Sequence, residues 1–124
     1  MANRRMFARS VVETDHFLDM PSSARVLYFH LGMITDDEGF IASPKSAIRA
    51  VGASAEDLAL LISQRYLIQF ESGVCVMRHW LINNQLQKDR ARDTTCTKEK
   101  KCLLIEKGEP YELLTDGATT THSA

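Results

Sequence analysis

Apolar positions recur at helical spacing in three stretches between Ser23 and Arg65 and turn strand-like from Tyr66 to Trp80. In Ser23 to about Met33, Ala24, Leu27, Tyr28 and Leu31 fall three and four residues apart, so one stripe faces a core, with Arg25, Phe29 and Gly32 on the other side. Asp19-Met20-Pro21-Ser22-Ser23 breaks the chain before it. Lys45 to Val51 is the next helix: Ser43 can cap its free amides, Pro44 tolerates the first helical position, and Gly52 ends it. Ser54 opens a third, Ala55 to about Arg65, with Asp57 placed three residues on as in a capping box. Tyr66–Glu71 and Val74–Trp80 then form a hairpin through a two-residue Ser72-Gly73 loop, and Phe40-Ile41 is long enough for a short strand beside it.

That loop sets a register of Glu71 opposite Val74, Phe70 opposite Cys75, Ile68 opposite Met77 and Tyr66 opposite His79. Tyr66, Ile68, Phe70, Cys75 and Met77 then share a core face, and Phe70 and Met77 are expected to be buried. The other face, Leu67, Gln69, Glu71, Val74, Val76 and Arg78 with Trp80 in phase, is more apolar than a surface open to water. It calls for a cover: Met6 to Val12, the C-terminal segment, or a second subunit. Val74, Val76 and Trp80 are the candidate oligomer interface, with a homodimer favoured.

Helix, glycine turn, helix and hairpin, in that order, predict a winged helix-turn-helix, mainly α with a small β-hairpin and so of the α+β class. Such modules commonly set the second helix in the major groove of duplex DNA. The expected organisation is an N-terminal extension over 1–20, the winged-helix domain over 21–82, a basic helical segment over 83–108 and a flexible tail over 109–124.

A chain of 124 residues, 44% hydrophobic and 25% charged, fits one small domain with a modest core. No apolar run approaches the roughly 20 residues that span a bilayer, and Met1 to Ser10 lacks the apolar stretch of a secretion signal, so a cytoplasmic protein is expected. Cys75, Cys96 and Cys102 form an odd set with no CxxC pair and read as reduced thiols. His16, His30, His79 and His122 show no HExxH spacing, and neither a GxSxG turn nor a Gly-rich phosphate loop occurs. The five-residue gap between Cys96 and Cys102 exceeds the usual zinc spacing, and the acidic Thr35–Gly39 loop lacks the ligand pattern of a calcium loop. The reading is of a protein that is not an enzyme and needs no cofactor or metal.

The net charge of −1 hides an uneven distribution. Between Leu86 and Lys101, Lys88, Arg90, Arg92, Lys98, Lys100 and Lys101 outnumber Asp89, Asp93 and Glu99; from Cys102 onward, Glu106, Glu109, Glu112 and Asp116 outnumber Lys107. The second helix of the pair is poor in cations, with Ala55, Glu56 and Ala59 at its start and Ser63, Gln64 and Arg65 only at its end. Phosphate contacts therefore have to come from dispersed side chains. The candidate DNA-binding set is Arg4, Arg5, Lys45, Arg49, Gln64, Arg65, Arg78, Lys88, Arg90 and Arg92, holding phosphates with little sequence preference. The competing reading is a protein-interaction and oligomerisation module that uses the winged helix as a scaffold without touching DNA.

Several separated motifs carry a resemblance. Asn3-Arg4-Arg5-Met6-Phe7, Phe17-Leu18-Asp19-Met20-Pro21, Leu27-Tyr28-Phe29-His30-Leu31, Asp36-Asp37-Glu38-Gly39-Phe40, Phe70-Glu71-Ser72-Gly73-Val74, His79-Trp80-Leu81-Ile82-Asn83-Asn84 and Lys88-Asp89-Arg90 follow in one order. Pro44-Lys45 and Val51-Gly52-Ala53-Ser54 lie among them. Over about Ala2 to Arg92 the chain resembles the N-terminal region of phage replisome organisers and related DnaD-type replication initiators. The resemblance implies a winged-helix fold, a role in starting phage or prophage DNA replication in a bacterial cytoplasm, self-association, and a helicase or its loader as a further partner. Such initiators usually continue into a second domain, whereas this chain stops soon after the basic segment, and from Asp93 the likeness fades.

Overall fold

The computed structural model describes residues 4–84 and 93–114. Four helices frame the first half: α1 (Arg9–Val12), α2 (Asp15–Leu18), α3 (Ser22–Ile34) and, after the short strand β1 (Phe40–Ile41), α4 (Lys45–Val51). The α3 stripe buries Ala24, Leu27, Tyr28 and Leu31, as its spacing predicts. Gly32, assigned by that spacing to the outer side, is instead covered by Phe7, whose ring lies 2.5 Å from where a Cβ would stand. Gly52 ends α4 in the left-handed region at φ 70°, which a residue without Cβ adopts at least cost. The chain then enters α5 (Ala55–Ser63) through a complete capping box: Ser54 Oγ accepts from the Asp57 amide at 3.2 Å, and the Asp57 carboxylate accepts from the Ser54 amide at 3.0 Å. Ser23 donates to the same carboxylate at 2.9 Å, fastening the start of α3 to the start of α5.

β1 pairs antiparallel with β3 (Cys75–Met77), and β3 with β2 (Leu67–Gln69), giving the order β1-β3-β2. The register differs by one residue from the sequence expectation: Leu67 lies opposite Met77, Ile68 opposite Val76 and Gln69 opposite Cys75. The cause is the loop. Gly73 takes φ 91°, its amide donates to Phe70 O, and Phe70 N donates to Val74 O, so three residues, Glu71 to Gly73, make the turn instead of two. A one-residue slip exchanges the faces. Leu67, Gln69, Cys75 and Met77 now share one side, with Met77 reaching α3 near Gly32. Phe40, Ile68 and Val76 share the other. Met77 is fully buried as expected; Phe70 is only half-buried, its ring stacked on Phe40 at 6.4 Å.

The described segments before α3 and after β3 both belong to this core. The segment expected to be an N-terminal extension buries Val11 and Phe17, while Asn83 and Asn84 hold its backbone, Asn84 accepting from Met6 N at 2.8 Å and Asn83 from Ala8 N at 2.7 Å. The one-turn helix α6 (Trp80–Asn83) follows the sheet; of the basic helix expected over 83–108, residues 85–92 lie outside the described residues, and the described part from 93 on forms the one-turn helix α7 (Thr97–Lys100) and the strand β4 (Leu103–Leu104). β4 pairs antiparallel with β5 (Glu112–Leu113) inside what the sequence suggests is tail. Tyr111 is buried; its hydroxyl donates to Glu38 O at 2.8 Å and its amide to Arg78 O at 2.7 Å. The apolar second face of the sheet is the physical reason: Tyr111 packs beside Phe40 and, with Leu103, joins the core. The result is a mixed helix-and-sheet fold consistent with the α+β class.

Candidate nucleic-acid interface

Ten side chains were expected to meet phosphate, and the fold divides them. Lys45 and Arg49 stand four residues apart on α4, so they share a face; both are exposed, and among the described residues neither forms an ion pair. Arg4 is exposed as well. Lys88, Arg90 and Arg92 lie outside the described residues.

The other candidates are committed elsewhere. The Arg5 side chain is 6% exposed, donates to Thr35 O at 3.0 Å and pairs with Asp37 at 3.1 Å, its guanidinium 5.3 Å from the centre of the Trp80 ring. It is an internal strut, so its assignment to DNA is withdrawn. Arg78 is 17% exposed, is ion-paired with Glu112 and lies 3.3 Å from His79 Nε2, so it is no free cation on the hairpin. Arg65 stays exposed just past α5, with Glu112 3.5 Å away. Gln64, the C-cap of α5, is half-buried with its carbonyl oxygen against His16 Nε2.

The expected oligomer interface is corrected in the same way. Val76 and Trp80 are 0% and 2% exposed and Val74 is half-buried, because the chain covers this surface itself. Trp80 Nε1 donates to Asp37 O at 3.1 Å under the loop that leads into β1, and Tyr111 of the C-terminal segment packs beside Phe40, the cross-strand partner of Val76. No second subunit is needed for that purpose.

Sequence reasoning missed the role of the acidic loop. Asp36 Oδ1 accepts from the amides of Glu38 and Phe40 at 2.9 and 3.0 Å, an Asx turn that points its two neighbours inward. Asp37 then receives Arg5 from the N-terminal side. Glu38 receives the Thr94 amide at 2.7 Å and Lys100 at 2.6 Å from the C-terminal side, and the Thr94 hydroxyl bonds Asp36. The aspartate followed by a glycine three residues on signals a turn, but no local pattern announces partners 32 and 56 residues away.

An open cleft of about 560 Å3 is lined by Ser10, Thr14, His16, Gln64, Arg65 and Arg78 among others. His16 Nδ1 is 3.0 Å from the Tyr66 hydroxyl at its wall. A guanidinium only donates, so His79 Nε2 must accept from Arg78 and the ring proton sits on Nδ1. Burial, and then the Arg78 charge, push the His79 imidazole down to about 4 against an opposing pull from Glu112, which leaves the ring neutral near pH 7. Burial likewise pushes Cys75 up to about 12, and Cys75, Cys96 and Cys102 are all free thiols. Among the described residues no group of three or more His, Cys, Asp or Glu could hold a metal ion. None of their helices is long and apolar enough to cross a membrane.

No family model, curated protein or solved structure matches this chain.

Proposed function

We propose that this chain is a DNA-binding module of winged helix-turn-helix type that acts in the initiation of phage or prophage DNA replication in a bacterial cytoplasm. The observation that carries the reading is the exposed pair Lys45 and Arg49, without ion-pair partners among the described residues, on a helix joined by a left-handed glycine turn to α5. The sequence of elements α3, β1, α4, α5, β2, β3 and the sheet order β1-β3-β2 fit that module, and the replisome-organiser motifs supply the process. Phosphate contact dominates over base reading, because the first exposed positions of α5, Ala55, Glu56 and Ala59, offer no cation. The expected partners are duplex or single-stranded DNA and a helicase or its loader.

The test is salt-dependent binding to several unrelated duplexes and a single strand. Lys45→Ala with Arg49→Ala should weaken binding to every duplex by a similar factor, on the order of tenfold, and flatten the dependence on salt by up to about two phosphate contacts. Lys88→Ala, Arg90→Ala and Arg92→Ala together should act in the same direction; Gln64→Ala should do less. No binding by the unmodified chain at low salt would overturn the proposal.

One observation favours the interaction-module reading. Val26, Phe29 and Met33 recur three and four apart on α3 and remain 50%, 37% and 49% exposed, an apolar stripe suited to another protein surface. Self-association in a solution mass measurement, without DNA binding, would put that reading first.

A further inference from the structure

Arg65 is the single non-glycine residue at positive φ among the described residues, at 68°. It closes α5 with its amide donating to Ile62 O, while the next amide, Tyr66 N, donates to Leu61 O. Glycine commonly fills such a position because a Cβ is strained there. Here the position carries an arginine whose side chain is 70% exposed. Arg78, reached through the far strand of the hairpin, presents a second guanidinium to the same cleft. The two converge on one carboxylate: Glu112 is 3.5 Å from Arg65 and ion-paired with Arg78. The Nε–H of Arg78 is buried and has no acceptor among the described residues, so a phosphate would meet this guanidinium at the terminal N–H groups that now face Glu112. Glu112 is 40% exposed and Arg65 is 70% exposed, so the meeting point is open to solvent and a competing anion can reach it.

We propose that Arg65 and Arg78 form a second phosphate-binding site for DNA, occupied in this structure by the Glu112 carboxylate as an internal stand-in for phosphate. The inference rests on the DNA-binding reading and adds a regulatory element to it. Planar guanidinium pairs grip a phosphate and a carboxylate through the same parallel N–H donors, so one can replace the other without rebuilding the site. β5 brings Glu112 into place, and Tyr111 beside it is anchored in the core, so displacement calls for rotation of the Glu112 side chain rather than loss of the strand. Displacement of Glu112 by a phosphate would add this pair to the cations that hold DNA.

The experiment measures duplex affinity across a salt series for the full chain and three variants, with thermal melting to follow folding. Glu112→Gln should tighten binding about tenfold at low salt and steepen the salt dependence by about one phosphate contact. Glu109→Gln makes the same change in net charge on an exposed residue with no arginine partner among the described residues, and should give a much smaller gain. Adding Arg65→Gln to Glu112→Gln should erase the gain. Should Glu112→Gln melt at low temperature, Glu112→Asp retains the charge, shortens its reach and should still tighten binding about twofold. Equal gains from Glu112→Gln and Glu109→Gln, or unchanged affinity in Glu112→Asp, would overturn the inference while leaving the DNA-binding reading standing. Absence of binding in the unmodified chain and every variant would overturn both.

Discussion

At the scale of single residues, the acids and bases of this domain are set by what the fold places against them. The Asp57 carboxyl is held below its ordinary range, chiefly by the Ser54 amide, with the Ser23 and Ser54 hydroxyls adding to the effect and burial opposing it. His79 is shifted down from 6.5 to about 4. Below pH 6.5 the unfolded chain takes up a proton that the folded ring refuses, so stability should fall as pH drops from 6.5 toward 4 and this contribution should then level off. The Asp57 contribution is present above its ordinary value of 3.8 and is lost only on further acidification. Denaturant melts at a series of pH values should show both phases, and His79→Gln should flatten the first while sparing the second. A His79→Gln profile identical to that of the unmodified protein would mean that the ring is not held neutral by its surroundings.

At the scale of elements, glycines with the same backbone sign separate conformational cost from packing cost. Gly39 has φ 91° and a Cβ there would fall 2.7 Å from the Trp80 ring, whereas Gly52, at φ 70°, has open space around it. Gly52→Ala should cost about 1 kcal/mol from backbone strain alone. Gly39→Ala adds overpacking against a buried indole and should cost roughly 2 to 4 kcal/mol by chemical denaturation. Equal costs would show that Trp80 can move aside. The turn and cap signals at these positions were legible in the sequence because their chemistry is contiguous: Ser43-Pro44, Gly52 and Ser54 with Asp57 marked the helix ends to within one or two residues. Ser72-Gly73 was not enough to set the hairpin, since the same dipeptide fits a two-residue loop or the end of a three-residue one. That single choice put Ile68 and Cys75, expected on one face, on opposite faces of the sheet. The candidate site was less legible still, because whether a cation is free depends on acids distant in sequence. Asp37 claims Arg5 and Glu112 claims Arg78 from 32 and 34 positions away, while nothing described claims Lys45 or Arg49.

At the scale of the whole molecule, the sheet is sealed on its second side by the segment that carries Leu103 and Tyr111. A chain ended after Lys101 should keep the helices but expose Phe40 and Val76, bind a hydrophobic dye and aggregate on concentration. If it neither binds the dye nor aggregates and its melting temperature is unchanged, that segment is not part of the cooperative core. The same closure gives synthesis a timetable. Asn84 grips the backbone at Met6 from 78 positions away, and Tyr111 reaches back 73 positions to Glu38. A domain closed by such distant contacts pays its loop entropy before the contacts return anything, so it folds late and as a unit. On the ribosome, the helices can form as they emerge, but the sheet waits uncovered until Tyr111 leaves the exit tunnel, and that interval is when the nascent chain most needs a chaperone.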